Sequence, residues 1–173
     1  MKIPIKPEIN SPLSIYLSLM GKSEFDAESV DNLAALLITF KKELKGLLIS
    51  KVVLINADLT NADLRSSDLT SADLRLSNFY NSNLEEAMLM DANLEESNFQ
   101  SSNLSYATLI NANLIGATFV GANLTFASFS GANLSGTIFQ NKTEKDFNGP
   151  KLGDVIGLTQ AQLDVACGNK NTV

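Results

Sequence analysis

The side chains in this sequence that could do chemistry are mostly carboxylates, and they are concentrated in one stretch. Residues 58–96 contain nine acids, whereas the basic side chains of residues 51–141 are limited to Lys51, Arg65 and Arg75. Grouped carboxylates can exchange protons or hold a hard cation. We call this set the acidic surface: Asp58, Asp63, Asp68, Asp73, Glu85, Glu86, Asp91, Glu95 and Glu96.

Other residues that enzymes and metal sites use are scarce. The chain has no histidine, which excludes histidine-based proton transfer, Ser-His triads and histidine metal ligands. Its single cysteine, Cys167, excludes an internal disulfide and a cysteine-rich zinc site. We interpret Cys167 as a small apolar residue, with a reactive thiol as the alternative. We therefore predict no catalytic residue, no cofactor and no metal.

The acids lie in a stretch that repeats every five residues. From Leu54 to Phe139 an apolar residue, here called the centre, occupies each fifth position, which gives eighteen units. The residue two places before a centre is usually Ala or Ser, and the residue directly before it is often Asp or Asn. A helix would scatter these centres around its axis, and a straight strand would send them to both faces. A chain that bends once in every unit instead buries all of them together.

The spacing of the aromatic centres indicates how many units make one coil. Phe79, Phe99, Phe119 and Phe139 are twenty residues apart, so four units per coil would stack their rings. Asparagines recur with the same spacing, and we expect hydrogen-bonded ladders along two columns. These columns are Asn83, Asn103 and Asn123, which follow Asp63, and Asn93, Asn113 and Asn133, which follow Asp73.

The repeated unit has a recognisable form. Ala57-Asp58-Leu59, Ala62-Asp63-Leu64 and Ala122-Asn123-Leu124 follow an A(D/N)LXX pattern, which resembles the pentapeptide repeat proteins. The resemblance covers just over half of the chain and implies an all-β solenoid, namely a right-handed four-sided β-helix. It also implies a bacterial setting, and some members of that family mimic DNA and bind a type II topoisomerase.

We predict three segments. Residues 1–50 form a lead-in and an N-terminal α-helix over 26–45, whose apolar stripe either caps the first coil or binds a partner. Residues 51–141 form the pentapeptide-repeat β-helix. Residues 142–173 form a tail with a short capping helix near 159–167, where Thr159 and Gln162 match a capping box.

Several outward positions of the repeats are apolar. We call this set the apolar patch: Met88, Met90, Tyr106, Ile110 and Phe126. An exposed apolar patch is typical of a contact surface. Coverage by a terminal segment of the same chain is the alternative.

Charge limits the partners. The formal net charge of −6 comes from the repeats, because acids and bases balance in residues 1–50 and in residues 142–173. There is no basic stripe, so we expect no direct nucleic-acid binding. No apolar run approaches the ~20 residues of a membrane span, and prolines interrupt the segment that faintly resembles a signal peptide, so we expect a cytoplasmic protein.

These observations favour a non-enzymatic interaction or scaffold module that binds an unknown protein or a second copy of itself. We interpret the acids as solvated or bonded to the turn backbone, with an ion site as the alternative; they could also attract a basic partner. The alternative function is a DNA mimic that binds DNA gyrase. The sequence departs from such a mimic because residues 97–141 have no charged side chain.

Overall fold

A computed structural model describes Leu37, residues 39–139, and the backbone of two short strands, β1 (Ile3–Pro4) and β2 (Glu24–Phe25). The two strands pair antiparallel. A 3-10 helix at Lys41–Glu43 leads into the repeats. Beyond it, regular pairing consists of isolated bridges between successive coils.

The repeats wind into a four-sided solenoid with twenty residues per coil. Each coil makes four parallel bridges to the next coil, one on each face; Asp63 thus pairs with Asn83 and Asn83 with Asn103. Main-chain hydrogen bonds join the coils along each face, as from the Leu84 N–H to the Asn103 carbonyl at 2.7 Å. The predicted period of twenty is therefore confirmed.

The corners are tight turns with one residue in the left-handed region. At a representative corner, the Ala62 N–H donates to the Leu59 carbonyl at 3.1 Å, and Asn61 between them has a φ of 57°. A positive φ at this position is the mark of a type II turn. Gly116, Gly121, Gly131 and Gly136 occupy the same turn position at other corners, also with a positive φ.

The centres and the small residues two places before them fill the interior. Ring centroids are 4.7 Å apart between Phe79 and Phe99 and 4.9 Å apart between Phe99 and Phe119, both with an interplanar angle of 4°. The predicted phenylalanine column is therefore confirmed. Phe129 comes from the opposite face and meets Phe119 edge-on at 5.9 Å, so the interior is narrow enough for rings to touch across it.

The predicted N-terminal α-helix over residues 26–45 is not supported as a whole: Leu37 and Thr39 are helical, but the helix does not continue to residue 45. Lys41–Glu43 form a 3-10 turn, and Leu44 is already buried in the coil. Gly46 adopts a positive φ at the first corner. The reason is that Leu44 continues the five-residue spacing of the centres, so solenoid packing prevails over helical periodicity. Residues 26–36 and residue 38 lie outside the described residues.

Other predictions about the ends stay predictions. The tail at 142–173, its capping helix near 159–167 and Cys167 lie outside the described residues. The first bridge starts at Leu48, three residues before the predicted segment boundary at residue 51.

Candidate functional site

The five residues of the apolar patch lie on one face of the solenoid and on its two flanking corners. Tyr106 and Phe126 are stacked at one corner, with ring centroids 4.9 Å apart and an interplanar angle of 22°. Met88 lies on the face, and Met90 and Ile110 lie at the next corner. The exposed fractions are 54% for Tyr106, 39% for Phe126 and 37% for Met88, while Met90 and Ile110 are half-buried. The structure thus places the set on one side of the molecule.

The two aromatic residues occupy corner positions that suit glycine better. Tyr106 and Phe126 have φ values of 61° and 59°. The left-handed region costs a residue with a side chain roughly 1–2 kcal/mol. Gly121 and Gly131 flank Phe126 at the same turn position. Large exposed rings held in this conformation are therefore grounds for a functional hypothesis.

The four aspartates of the acidic surface are bonded to their own turns. One carboxylate oxygen of each aspartate accepts a hydrogen bond from the backbone N–H two residues later. The N···O distances are 3.0 Å for Asp58, 3.3 Å for Asp63, 2.9 Å for Asp68 and 3.5 Å for Asp73. The interpretation of these aspartates as turn-bonding residues is confirmed.

Three of these aspartates also have a cationic partner. Arg65 donates hydrogen bonds through Nε and Nη2 to the Asp63 carboxylate at 2.8 and 2.6 Å. Arg75 donates to Asp73 through the same two atoms, both at 2.8 Å. These side-chain hydrogen bonds lower the pKa of Asp63 and Asp73 against the opposing effect of burial. Asp73 in turn raises the pKa of Arg75.

The third pair joins the N-terminal segment to the coil. Lys41 Nζ lies 3.3 Å from an Asp58 carboxylate oxygen. The pKa of Asp58 is lowered mainly by hydrogen bonds from Thr60 and to a smaller extent by Lys41. From the sequence, Arg65 and Arg75 were recognised only as charged residues, without their partners. The signal for their pairing was the repeated Asp-Leu-Arg triplet, which places both groups on one side of a turn.

The other five acids lie at three corners of a single coil. Ser66 Oγ donates to Glu86 at 3.0 Å, and Asn111 Nδ2 donates to Asp91 at 3.3 Å. Within residues 39–139, none of the five forms an ion pair: Glu85, Glu86, Asp91, Glu95 and Glu96. These five acids and Asp68 are therefore the acids of the repeats that form no ion pair among the described residues.

Asparagine ladders run along the uncharged parts of the faces. Nδ2 of Asn103 donates to Asn83 at 3.2 Å, and Nδ2 of Asn123 donates to Asn103 at 3.0 Å. The second predicted column contains the bond from Asn113 to Asn93 at 3.0 Å. The predicted ladders are confirmed at these three steps.

One corner bears a groove that was not predicted from the sequence. It has a volume of about 250 Å³ and is lined by Ile55, Arg75, Leu76, Glu95 and Glu96. The signal was present in the twenty-residue spacing of positions 55, 75 and 95, which stacks them at one corner. Among the described residues, no group of three or more His, Cys, Asp and Glu side chains is placed to hold a metal ion.

No helix in the described part of the chain has the length and apolar run that crossing a bilayer requires. No curated protein matches the chain. A family model, Pentapeptide repeats, matches in eight copies over residues 49–85, 69–105 and 102–141, which together span just over half of the chain.

Solved structures of pentapeptide repeat proteins are also similar. One from the thylakoid lumen of Arabidopsis thaliana is 28% identical over 73% of this chain and 88% of its own, with a TM-score of 0.48. Rfr23 from the cyanobacterium Cyanothece 51142 is 36% identical over 62% of this chain and 65% of its own, with a TM-score of 0.36. HetL from the cyanobacterium Nostoc sp. strain PCC 7120 is 30% identical over 66% of this chain and 49% of its own, with a TM-score of 0.33. On the strength of the family match, the chain belongs to the pentapeptide repeat family.

Proposed function

We propose that this chain is a non-enzymatic interaction module that contacts another protein through the apolar patch. The observation that supports it most is the exposed, stacked pair of Tyr106 and Phe126 in the left-handed region. Aromatic residues are enriched among the hot spots of protein interfaces, where a few side chains supply most of the binding energy. The adjacent Met88 adds an adaptable apolar contact.

The shape of the described coils supports a binding role over a catalytic one. Leucine, phenylalanine and alanine fill the interior, which leaves no space there for a substrate. The corner groove, at about 250 Å³, is smaller than the ~300–1,000 Å³ of typical ligand pockets. Our proposal also includes the right-handed β-helical winding that the family implies and a cytoplasmic location.

The distribution of charge gives less support to a DNA mimic that binds a type II topoisomerase such as DNA gyrase. Such a mimic needs negative charge along its whole length. Residues 97–139 have no charged side chain, and Lys41, Arg65 and Arg75 offset three of the aspartates.

The proposal can be tested with a variant that removes the rings and relaxes the backbone. The double substitution Tyr106→Gly and Phe126→Gly should leave the free energy of unfolding within about 1 kcal/mol of the wild type, because glycine tolerates a positive φ. The wild-type chain is first used for affinity capture from a cell extract, and the captured protein is identified. We expect its dissociation constant to rise at least tenfold with the double variant.

The matched control is Asn81→Gly with Ser101→Gly, which changes the same turn position at φ values of 55° and 58° at a corner that carries no patch residue. It should bind like the wild type. A double variant that keeps the captured protein contradicts the proposal, as does a folded wild type that captures no protein and sediments as a monomer. The partner could also be a second copy of the chain. Sedimentation would then show a wild-type dimer that the double variant abolishes.

A further inference from the structure

We infer that the corner groove is a second binding site, and that it takes a lysine or arginine side chain of a protein partner. The groove is defined by Ile55, Arg75, Leu76, Glu95 and Glu96. It lies at a different corner from every residue of the apolar patch, so this inference does not depend on the proposed function.

One wall of the groove is aliphatic and reached by solvent. Ile55 and Leu76 are 44% and 50% exposed, and Leu76 has a φ of 61° at its corner. An exposed leucine in the left-handed region is unfavourable for folding alone. Aliphatic walls of this kind suit the methylene stem of a long basic side chain, which packs on apolar surface while its charged end stays polar.

The charges in and beside the groove leave an excess of carboxylate. Arg75 is fixed by its two hydrogen bonds of 2.8 Å to Asp73, so these two charges offset each other. Glu95 and Glu96 form no ion pair within residues 39–139. A cation that enters the groove therefore meets an excess of carboxylate at Glu95 and Glu96, although Glu95 also acts on Arg75, whose pKa it helps Asp73 to raise. Charge-assisted hydrogen bonds to carboxylates are among the stronger ones.

The coil above leaves space for one of these carboxylates. Gly116 lies directly after Glu96 in the same corner column, and a Cβ added there would come within 3.3 Å of the Glu96 Cγ. The missing side chain at Gly116 thus makes room for the Glu96 side chain beside the groove.

The groove suits an organic cation better than a metal ion. A calcium ion takes six to eight oxygen ligands, whereas this site offers two carboxylates next to two aliphatic side chains. The apolar stem of a lysine or arginine side chain can pack on Ile55 and Leu76 while its positive end meets the carboxylates.

The experiment is a titration of the full-length, 15N-labelled chain with a synthetic lysine-containing peptide, followed by NMR. We expect the backbone amides of Leu76, Glu95 and Glu96 to shift, and the shifts to shrink as salt rises because exposed charges are screened. The substitutions Glu95→Gln and Glu96→Gln together should weaken binding at least tenfold. The matched control is Glu85→Gln with Glu86→Gln, the same acidic pair at another corner of the same coil, and it should bind within twofold of the wild type.

Three further arms can overturn the inference. Equal shifts with the same peptide carrying acetylated lysines would show that the positive charge is not recognised. Equal weakening by both glutamine pairs would show a general effect of charge and no specific site. Spermidine that binds at least as tightly as the peptide would assign the groove to a free amine in place of a protein side chain.

Discussion

The lower coils, residues 44–96, and the upper coils, residues 97–139, share one backbone and differ in the side chains that they present to water. All nine acids of the repeats lie in the lower coils, and the upper coils have no charged side chain. The inter-coil bonds are nevertheless alike: the Leu64 N–H lies 2.7 Å from the Asn83 carbonyl, and the Leu104 N–H lies 2.8 Å from the Asn123 carbonyl. Because main-chain groups make this ladder, the outward chemistry can change without changing the fold.

The corners differ between the two regions in the same way. In the lower coils after Gly46, the left-handed position is always occupied by a residue with a side chain, whereas the upper coils place glycine at four of these positions. Tyr106 and Phe126 interrupt this series of small corner residues in the upper coils. The comparison shows that the upper corners use glycine or a small polar residue at the left-handed position, except where Tyr106 and Phe126 lie.

The largest expected effect comes from the interior, where the two regions should behave alike. Phe79→Ala in the lower coils and Phe119→Ala in the upper coils should each lower the free energy of unfolding by about 3–5 kcal/mol, because each leaves a cavity in a filled core. The loss for Phe119 should be at least as large, since its ring touches those of Phe99, Phe129 and Phe139. Urea unfolding followed by circular dichroism measures both. A loss under 1 kcal/mol for Phe79 alone would show that the lower interior is loosely packed.

A smaller expected effect is a pH dependence of stability that only the lower coils should show, because the upper coils have no charged side chain. Asp63→Asn places at position 63 the same residue type as Asn83 and Asn103 in the coils above. The asparagine keeps an oxygen that can bond the turn backbone, but the ion pair with Arg65 is lost. We expect a loss of only about 0.5–1 kcal/mol at pH 7, since both partners are partly exposed.

The sign of the pH dependence follows from the lowered pKa of Asp63. Its stabilising contribution is complete above the ordinary value of 3.8 and disappears as the pH falls through the lower folded value. The difference in the free energy of unfolding between wild type and Asp63→Asn, measured by urea unfolding, should therefore shrink as the pH falls below 3.8. A difference that does not shrink with falling pH would show that Asp63 acts through something other than its charge.

Much of the fold could be predicted because the sequence repeats its own register. The twenty-residue spacing of Phe79, Phe99 and Phe119 depends on local bends that recur, so periodicity alone fixes which residues stack. The asparagine ladders and the glycine corners follow from the same register.

The remainder depends on interactions that periodicity does not display. The sequence did not show where the coil starts. Two places before the centre Ile49, where the repeats usually have Ala or Ser, the chain has Leu47, and the helical spacing of the preceding residues predicted an α-helix instead. The groove arises from side chains of Ile55, Arg75 and Glu95 that are in different coils, and its charge depends on Arg75 turning toward Asp73. The spacing of residues in the sequence does not predict such rotamers.

The most direct measurement of the central claim is disulfide formation in a Cys167→Ser background. Thr108 and Ser128 are bridged across successive coils, and neighbouring strands at ~4.8 Å fall within the Cα separation that a disulfide accepts. Thr108→Cys with Ser128→Cys should cross-link under mild oxidation, as measured by mass spectrometry. Thr108→Cys with Asn123→Cys, fifteen residues apart and on different faces, should stay reduced. The opposite result, in which the fifteen-residue pair cross-links and the twenty-residue pair does not, would contradict a four-sided coil.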